Sequence, residues 1–305
     1  MHVALLANSD SWYARDLQRA AVGRHRITTL DFALLSAGLG EGGRIECAGF
    51  DLAAADAVLV RTMPPGSLEQ VVFRMDLLAR LAATGTVVVN PPKALEAAVD
   101  KYLTLAMLES AGLDVPATRV CQDAEQAMQA FAQLGGDVVV KPLFGSEGRG
   151  IARLQDEALA ERAFKMLAQL RAVLYLQRFV PHEGFDLRLL ILGRRVLAMR
   201  RRNALDWRTN ISRGATAEAF EPDDHLVEIA RRAAAAVGAP VAGVDLLPGR
   251  DGRMYTIEVN AVPGWKALAR AADVDVAALL LDYLVETVNQ GKASVSAAQG
   301  ARVCR

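Results

Sequence analysis

The rhythm of apolar residues changes once along this chain of 305 residues, and that change limits the possible folds more than any single motif. Up to residue 90, short apolar runs at 3–7, 57–60 and 86–89 alternate with stretches of helical periodicity at 14–22 and 68–83. In the second of these, Leu68, Val71, Val72, Met75, Leu78, Ala79 and Ala82 recur at three- and four-residue spacing. Strands this short and this apolar are covered on both faces, so the pattern predicts a parallel sheet with helices packed on it. Pro91-Pro92 ends the block, because proline has no N–H for a ladder. One helix is predicted over 94–111, closed by Gly112, and another over 124–134.

From Asp137 the rhythm is that of hairpins. A strand over 138–143 and another over 151–154 flank a glycine-rich loop, Gly145-Ser146-Glu147-Gly148-Arg149-Gly150. A helix at 157–170 and a strand at 173–180 follow. Strands 186–192 and 195–199 flank the turn Gly193-Arg194, and strands 241–247 and 254–260 flank 248–253. Helices are predicted at 225–237 and 274–288, and the small, polar residues 290–305 as a frayed tail.

Composition excludes several classes. At 52% hydrophobic and 23% charged residues, the chain is not disordered. Lys+Arg and Asp+Glu both number 35, so it is not a globally basic nucleic-acid binder. No apolar run reaches membrane-spanning length, and the N-terminus lacks the basic region and small-residue site of a leader, so it is read as a buried strand. Cys47, Cys121 and Cys304 are scattered without a CxxC pair, which argues against a disulfide framework or zinc site and suits the reduced cytoplasm. His2, His25, His182 and His225 do not cluster in sequence, and all four are read as surface residues.

Three constellations could carry chemistry. Glu258 and Asn260 lie two apart on a strand and share a face. A turn centred on Arg250-Asp251 pairs position 245 with 256, which puts Asp245 diagonal to Glu258 on that face. Such an oxygen set suits Mg²⁺ held with substrate phosphates; a solvated sheet face is the other reading. In the second, Gly145, Gly148 and Gly150 let backbone amides approach a phosphate, with Lys141 adding charge. This is not a Walker A loop, since it opens a strand, and a flexible hairpin with a surface lysine is the plain alternative. The third is Arg200-Arg201-Arg202 with Arg208, Arg213 and, one strand earlier, Arg188. Arginines facing a carboxylate site would offset phosphate charge; a charged edge strand or a nucleic-acid surface are the competing readings.

The order of these pieces resembles the ATP-grasp superfamily, most closely the RimK-type glutamate ligases. The match is carried by Asp100-Lys101, Val140-Lys141-Pro142-Leu143-Phe144-Gly145 through Gly150, Gln177-Arg178-Phe179-Val180, Asp186-Leu187-Arg188, Arg208-Thr209-Asn210, Arg213-Gly214, Ala242-Gly243-Val244-Asp245 and Glu258-Val259-Asn260 through Gly264. The resemblance implies an α/β and α+β chain: a Rossmann-like leading domain at 1–90, an ATP-grasp domain at 91–290 with a lid at about 115–180 and a catalytic part at about 181–290, and a tail at 291–305. It implies ATP contacts from Lys101, Lys141, Gly145, Ser146, Glu147, Gly148, Gly150 and Asp186, and an adenine-reading hinge at Gln177, Arg178, Phe179 and Val180. Relatives often carry an acidic residue where Arg178 stands, which puts the ribose contact in question. It further implies Mg²⁺ (or Mn²⁺) on Asp245, Glu258 and Asn260, and catalytic roles for Arg188, Arg208, Asn210 and Arg213.

The implied reaction is ATP-dependent amide formation through an acyl phosphate, in the cytoplasm and by a homo-oligomer. The stretch Val262-Pro263-Gly264-Trp265-Lys266 looks closest to ligases that glutamylate pterin cofactors, and residues 61–70 form a strand-end loop of the kind that faces a ligand. Glutamate with a tetrahydromethanopterin-type acceptor is the resulting expectation. A protein C-terminus or another metabolite is the alternative acceptor, and a non-catalytic nucleotide-binding regulator is the alternative class.

Overall fold

Val3, Ala4, Leu5 and Leu6 are fully buried in the first strand, His2–Leu6, so both faces of that strand are covered. It lies between Arg26–Leu30 and Ala57–Val60 in a four-stranded parallel sheet completed by Val87–Val89. The computed structural model describes residues 1–145 and 148–303, those from 294 on as backbone only. Ser146 and Glu147 therefore lie outside the described residues.

A second four-stranded sheet, antiparallel, runs in the order Ala152–Leu154, Val138–Lys141, Leu174–Arg178, Thr118–Cys121. Helices Ala124–Gln133 and Glu157–Gln169 pack on it. A third sheet has five antiparallel strands: Thr216–Ala219, Arg195–Arg202, Phe185–Leu192, Val241–Pro248 and Met254–Asn260. Helix Asp224–Val237 packs on it through Leu226, Ile229, Ala230, Ala233 and Val237.

The helix expected over 94–111 is two helices, Pro92–Val99 and Lys101–Ser110. Asp100 breaks it by leaving the helical region, and its carboxylate accepts from the N–H groups of Tyr102 and Leu103. The break makes Lys101 the first residue of the second helix. Strands Arg26–Leu30, Thr118–Cys121 and Thr216–Ala219, and helix Lys266–Ala272, carry no clear periodicity of their own.

Two cores join the first and third sheets. One takes Ala4, Leu6, Val58 and Val60 together with Leu187, Leu189, Ile191, Val244 and Val259. The other takes the alternate residues, Val3, Leu5 and Leu59 together with Leu190, Leu192 and Val241, and adds Trp265, Leu280, Leu281 and Leu284. The period-two alternation of each strand thus feeds both cores. A third core, built from residues between Cys121 and Leu176, belongs to the second sheet alone. Asn90 adds a polar link: its side-chain amide donates to Val241 O (2.7 Å) and Ala261 O and accepts from Val241 N (3.0 Å).

The last helix runs Val276–Val303, so the segment expected as a tail continues it. Arg19–Asp275 (2.8 Å), Arg24–Asp282 (2.6 Å) and Lys292–Asp56 (2.9 Å) tie it and the turn before it to the first sheet's layer. These pairs are largely exposed and contribute little individually; the apolar seam does more. Leu284→Ala is expected to lower stability by about 2–5 kcal/mol, read as a shift in the urea midpoint. An unmoved midpoint would show that the helix does not share the core. No helix among the described residues is long and apolar enough to cross a membrane.

Candidate active site

The register of the five-stranded sheet builds the site row by row. Arg188 pairs with Asp245, and Asp245 pairs with Glu258, so one row across three strands reads Arg–Asp–Glu. The next row on that face brings Gly243 opposite Asn260. Asp186 stands opposite Arg201. The expected diagonal relation of Asp245 to Glu258 is corrected here to a direct one. A β-bulge between Asp245 and Leu246, whose partners are Glu258 and Thr256, leaves Ile257 as the extra residue. The bulge turns two consecutive side chains, Ile257 and Glu258, toward the same cleft.

The electrostatics follow from this packing. Arg188 donates to both Asp245 oxygens (2.6 Å each), and Arg201 reaches Asp245 at 2.9 Å while donating to Asp186 at 2.7 Å. Thr209 Oγ1 also donates to Asp186. Burial pushes the Asp245 carboxyl up, but Arg188 and Arg201 outweigh it and bring it down to about 2. For Asp186 burial wins over Arg201, and the carboxyl is raised. Arg201, between two carboxylates, holds its proton more tightly than usual despite its burial. Glu258 makes no hydrogen bond or ion pair with the described residues, yet its charge acts on both Lys101 and Lys141.

Lys141 closes the strand Val138–Lys141, and its Nζ donates to Gln177 Oε1 (2.7 Å) on the neighbouring strand. Desolvation lowers it to about 8, against the pull of Glu258. Lys101 is also lowered by desolvation, and its Nζ donates to Gly145 O (2.6 Å), at the start of the glycine loop. Gly145, Gly148 and Gly150 all have positive φ (135°, 69° and 70°), a conformation that side chains resist. A Cβ on Gly148 would lie 2.6 Å from Asn210 Oδ1, and Arg213 Nη2 donates to Gly148 O (3.4 Å). The glycine loop and the segment 203–214 therefore meet across the cleft. Asn203 pins that segment, donating to Arg208 O (2.8 Å) and Arg213 O (3.2 Å). Asp206 holds the Arg208 guanidinium (2.6 Å).

Between the second and third sheets lies a cleft. Its walls include Val139, Phe179, Val180, Leu247 and Ile257, and its polar lining includes Lys141, Gln177, Asp186, Arg208, Asn210, Asp245 and Glu258. Apolar walls with a few convergent polar groups are the lining expected of a small-ligand site. Arg178 also lines the cleft, and its side chain donates from Nε to Leu134 O (3.1 Å), at the end of helix Ala124–Gln133. Asn260 sits one row beyond, its Oδ1 accepting from Val262 N (2.8 Å) to begin the turn that follows.

The arginine run divides. Arg201 enters the site, whereas Arg200 and Arg202 stack on Phe185, their guanidinium carbons 5.0 and 5.1 Å from its ring centroid. Only Arg201 and Arg188 of this group face the carboxylates, which narrows the expectation for the stretch. Arg201, expected only as part of the arginine stretch, and Thr209, only as part of a motif, join the site without having been assigned individual roles. For Arg201 the signal lies in the hairpin: strands paired about Gly193-Arg194 put 186 opposite 201.

Residues 98–284 match the family model described as RimK-like ATP-grasp domain. A protein of Methanosarcina acetivorans named tetrahydromethanopterin:alpha-L-glutamate ligase is 33% identical, over 76% of this chain and 81% of that protein. A probable alpha-L-glutamate ligase of Sodalis glossinidius is 30% identical, over 93% of this chain and 97% of that one. Among solved structures, the RimK domain protein ATP-grasp of Sphaerobacter thermophilus aligns with a TM-score of 0.71 at 27% identity, over 93% of this chain and 99% of that one. The ATP-grasp ligase PsnB with its minimal precursor aligns at 0.75 and 25% identity, over 93% and 98%.

Proposed function

This chain belongs to the RimK-like ATP-grasp family, and on that premise we propose that it joins L-glutamate to a tetrahydromethanopterin-type carboxylate acceptor. It is an ATP-dependent ligase. The observation that carries the reading of the site is Glu258: an anion without a partner among the described residues, electrostatically coupled to two lysines and set directly beside Asp245.

The donor set fits Mg²⁺. Glu258 has both oxygens available, Asn260 supplies an amide oxygen, and Asp245 supplies a carboxylate that its arginines keep ionised. Among the described residues no three His, Cys, Asp or Glu side chains gather into a metal cage. Carboxylates completed by substrate phosphates, rather than a protein-only cage, are what Mg²⁺ prefers. When bound, the ion supplies charge neutralisation at the transferring phosphate.

In this reading Lys101, Lys141 and the amides of Gly145, Gly148 and Gly150 hold the ATP phosphates. The hinge 177–180 takes the adenine edge by backbone groups other than the N–H of Arg178 and of Phe179, which already donate to Ala117 O (2.8 Å) and Asp137 O (3.0 Å). Arg188 runs beside Gly243, where a Cβ would stand in ordinary contact with its Nε (3.8 Å). Arg188, Arg208 and Arg213 neutralise the phosphate, and the Asn210 amide donates to it, as the acceptor carboxylate becomes an acyl phosphate. The amine then attacks the acyl carbon and phosphate leaves. Such chemistry asks a protein for position and charge more than for covalent help. The glycine loop over segment 203–214 excludes water that would hydrolyse the acyl phosphate.

The names of the relatives support glutamate and the pterin acceptor. The peptide-acting neighbour PsnB keeps a protein acceptor as the second reading. Incubation of a cell-extract metabolite pool with Mg-ATP and isotope-labelled glutamate, read by mass spectrometry, separates them. ATP-dependent label on a pterin supports the first; label on a protein supports the second; no label and no ADP refutes glutamate ligation. Gly148→Ala forces a left-handed alanine, at about 1–2 kcal/mol, against Asn210. It is expected to weaken binding of a non-hydrolysable ATP analogue about tenfold by calorimetry. Unchanged affinity would remove the glycine loop from the nucleotide site.

A further inference from the structure

The strand order of the parallel sheet creates a crevice. Arg26–Leu30 lies outside His2–Leu6, and Val87–Val89 lies outside Ala57–Val60 on the other side. The chain therefore leaves the two central strands in opposite directions, and their carboxyl ends form the switch point where open α/β sheets take ligands. Arg61 is the first residue after Ala57–Val60, fixed there by its N–H to Leu6 O (2.9 Å).

Arg61 is only 8% exposed, and among the described residues no carboxylate pairs with it. Its Nη2 donates to Pro263 O (2.7 Å), while its Nε is buried and has no partner. The guanidinium lies 4.4 Å from the Trp265 ring centroid and 5.3 Å from that of Tyr13. Burial lowers it to about 10, opposed only by Tyr13. Arg201, equally buried, has two carboxylates. A buried cation without a counter-charge is costly, and stacking recovers only part of that cost. A buried donor without an acceptor marks a missing partner.

Pro263 connects this arginine to the reacting region. Its Cβ lies 3.1 Å from where a Cβ on Gly243 would stand, and the Arg188 guanidinium lies against the same point. Arg188 and Arg61 therefore flank Pro263, one beside Asp245 and Glu258, the other at the switch point.

We propose that Arg61 binds a substrate carboxylate that does not itself react, and so selects a dicarboxylate substrate at the junction of the first and third sheets. The proposal rests on the ligase reading and deepens it. Both substrates meet at the activated acyl group, and a second carboxylate on either one supplies the anion that Arg61 lacks. Arg74 positions the loop above it, donating from Nη1 to Pro64 O (2.9 Å).

The test is calorimetry on the full chain saturated with Mg²⁺ and a non-hydrolysable ATP analogue. The probes are L-glutamate, its two monoamides L-glutamine and L-isoglutamine, and glutarate. Wild type is expected to bind L-glutamate about 10- to 100-fold more tightly than one of the monoamides. Arg61→Met is expected to erase that gap, and Arg61→Lys to keep part of it. If instead only glutarate binding responds to the substitution, the carboxylate belongs to the acceptor and the proposal still holds. A gap that survives in Arg61→Met overturns it, as does a wild type that binds the nucleotide analogue but none of these acids. Equal weakening of every probe and of the analogue also overturns it, since a merely structural Arg61 would act that way. Failure of wild type to bind the analogue brings down the ligase reading itself, and the proposal with it.

Discussion

Glu258→Gln is expected to leave a folded protein that releases ADP about 10³-fold more slowly, the size of effect seen when one preorganised charge is removed from a transition state. The change is isosteric, and Glu258 makes no hydrogen bond or ion pair with the described residues. Its thermal midpoint should therefore stay near that of wild type. Asp245→Asn, on the adjacent strand in the same row, should behave differently. It removes the anion held by Arg188 and Arg201, so stability falls along with activity. Coupled ADP-release assays and thermal melts on both variants separate charge needed by the reaction from charge needed by the fold. Turnover of Glu258→Gln within tenfold of wild type would remove this face from the chemistry.

Arg201→Met should carry the largest stability effect, about 3–5 kcal/mol, because it removes the shared partner of two buried carboxylates. Asp245 would keep Arg188, and Asp186 would keep only the Thr209 hydroxyl. The sign with pH follows from Asp186, whose carboxyl burial already raises. Without Arg201 it rises further, and an acid whose folded pKa lies above its unfolded value destabilises once both states are ionised. The loss in urea midpoint should thus be largest above the raised pKa and shrink as pH falls through it. Arg200→Met, on the opposite face over Phe185 and Phe220, should cost about 0.5–2 kcal/mol with no such pH dependence. Equal losses for the two arginines at all pH values would refute the division of the run.

Much of the fold and of the site is legible in the sequence. The apolar alternation up to residue 90 is a parallel-sheet pattern because covered strands need no polar face. The Asp245–Glu258–Asn260 set is readable because hairpin strands repeat every two residues. What stays hidden has local causes. The bulge at Asp245–Leu246 shifts the pairing, and nothing in the turn residues announces an extra Ile257. Asp100 cuts a helix whose apolar period runs through unbroken, since a capping carboxylate competes with the helix locally. Arg201 is masked within a run of three arginines; strand alternation, not residue type, decides which enters the site. Arg61 is legible only as the start of the strand-end loop 61–70, and its isolation appears only when Pro263 and Trp265, about 200 positions away, are folded against it.

The shared core has a consequence for the order in which the chain is made. Residues around the second sheet are complete once position 178 has left the ribosome, and their core needs nothing synthesised later. Val3 and Leu5 pack against Leu280, Leu281 and Leu284, which are translated long after them and after the second sheet. The strand His2–Leu6 thus waits for a helix made after the second sheet is complete, and the second sheet is able to mature before that strand is fully covered. The Leu284→Ala measurement reads the same dependence in the finished molecule.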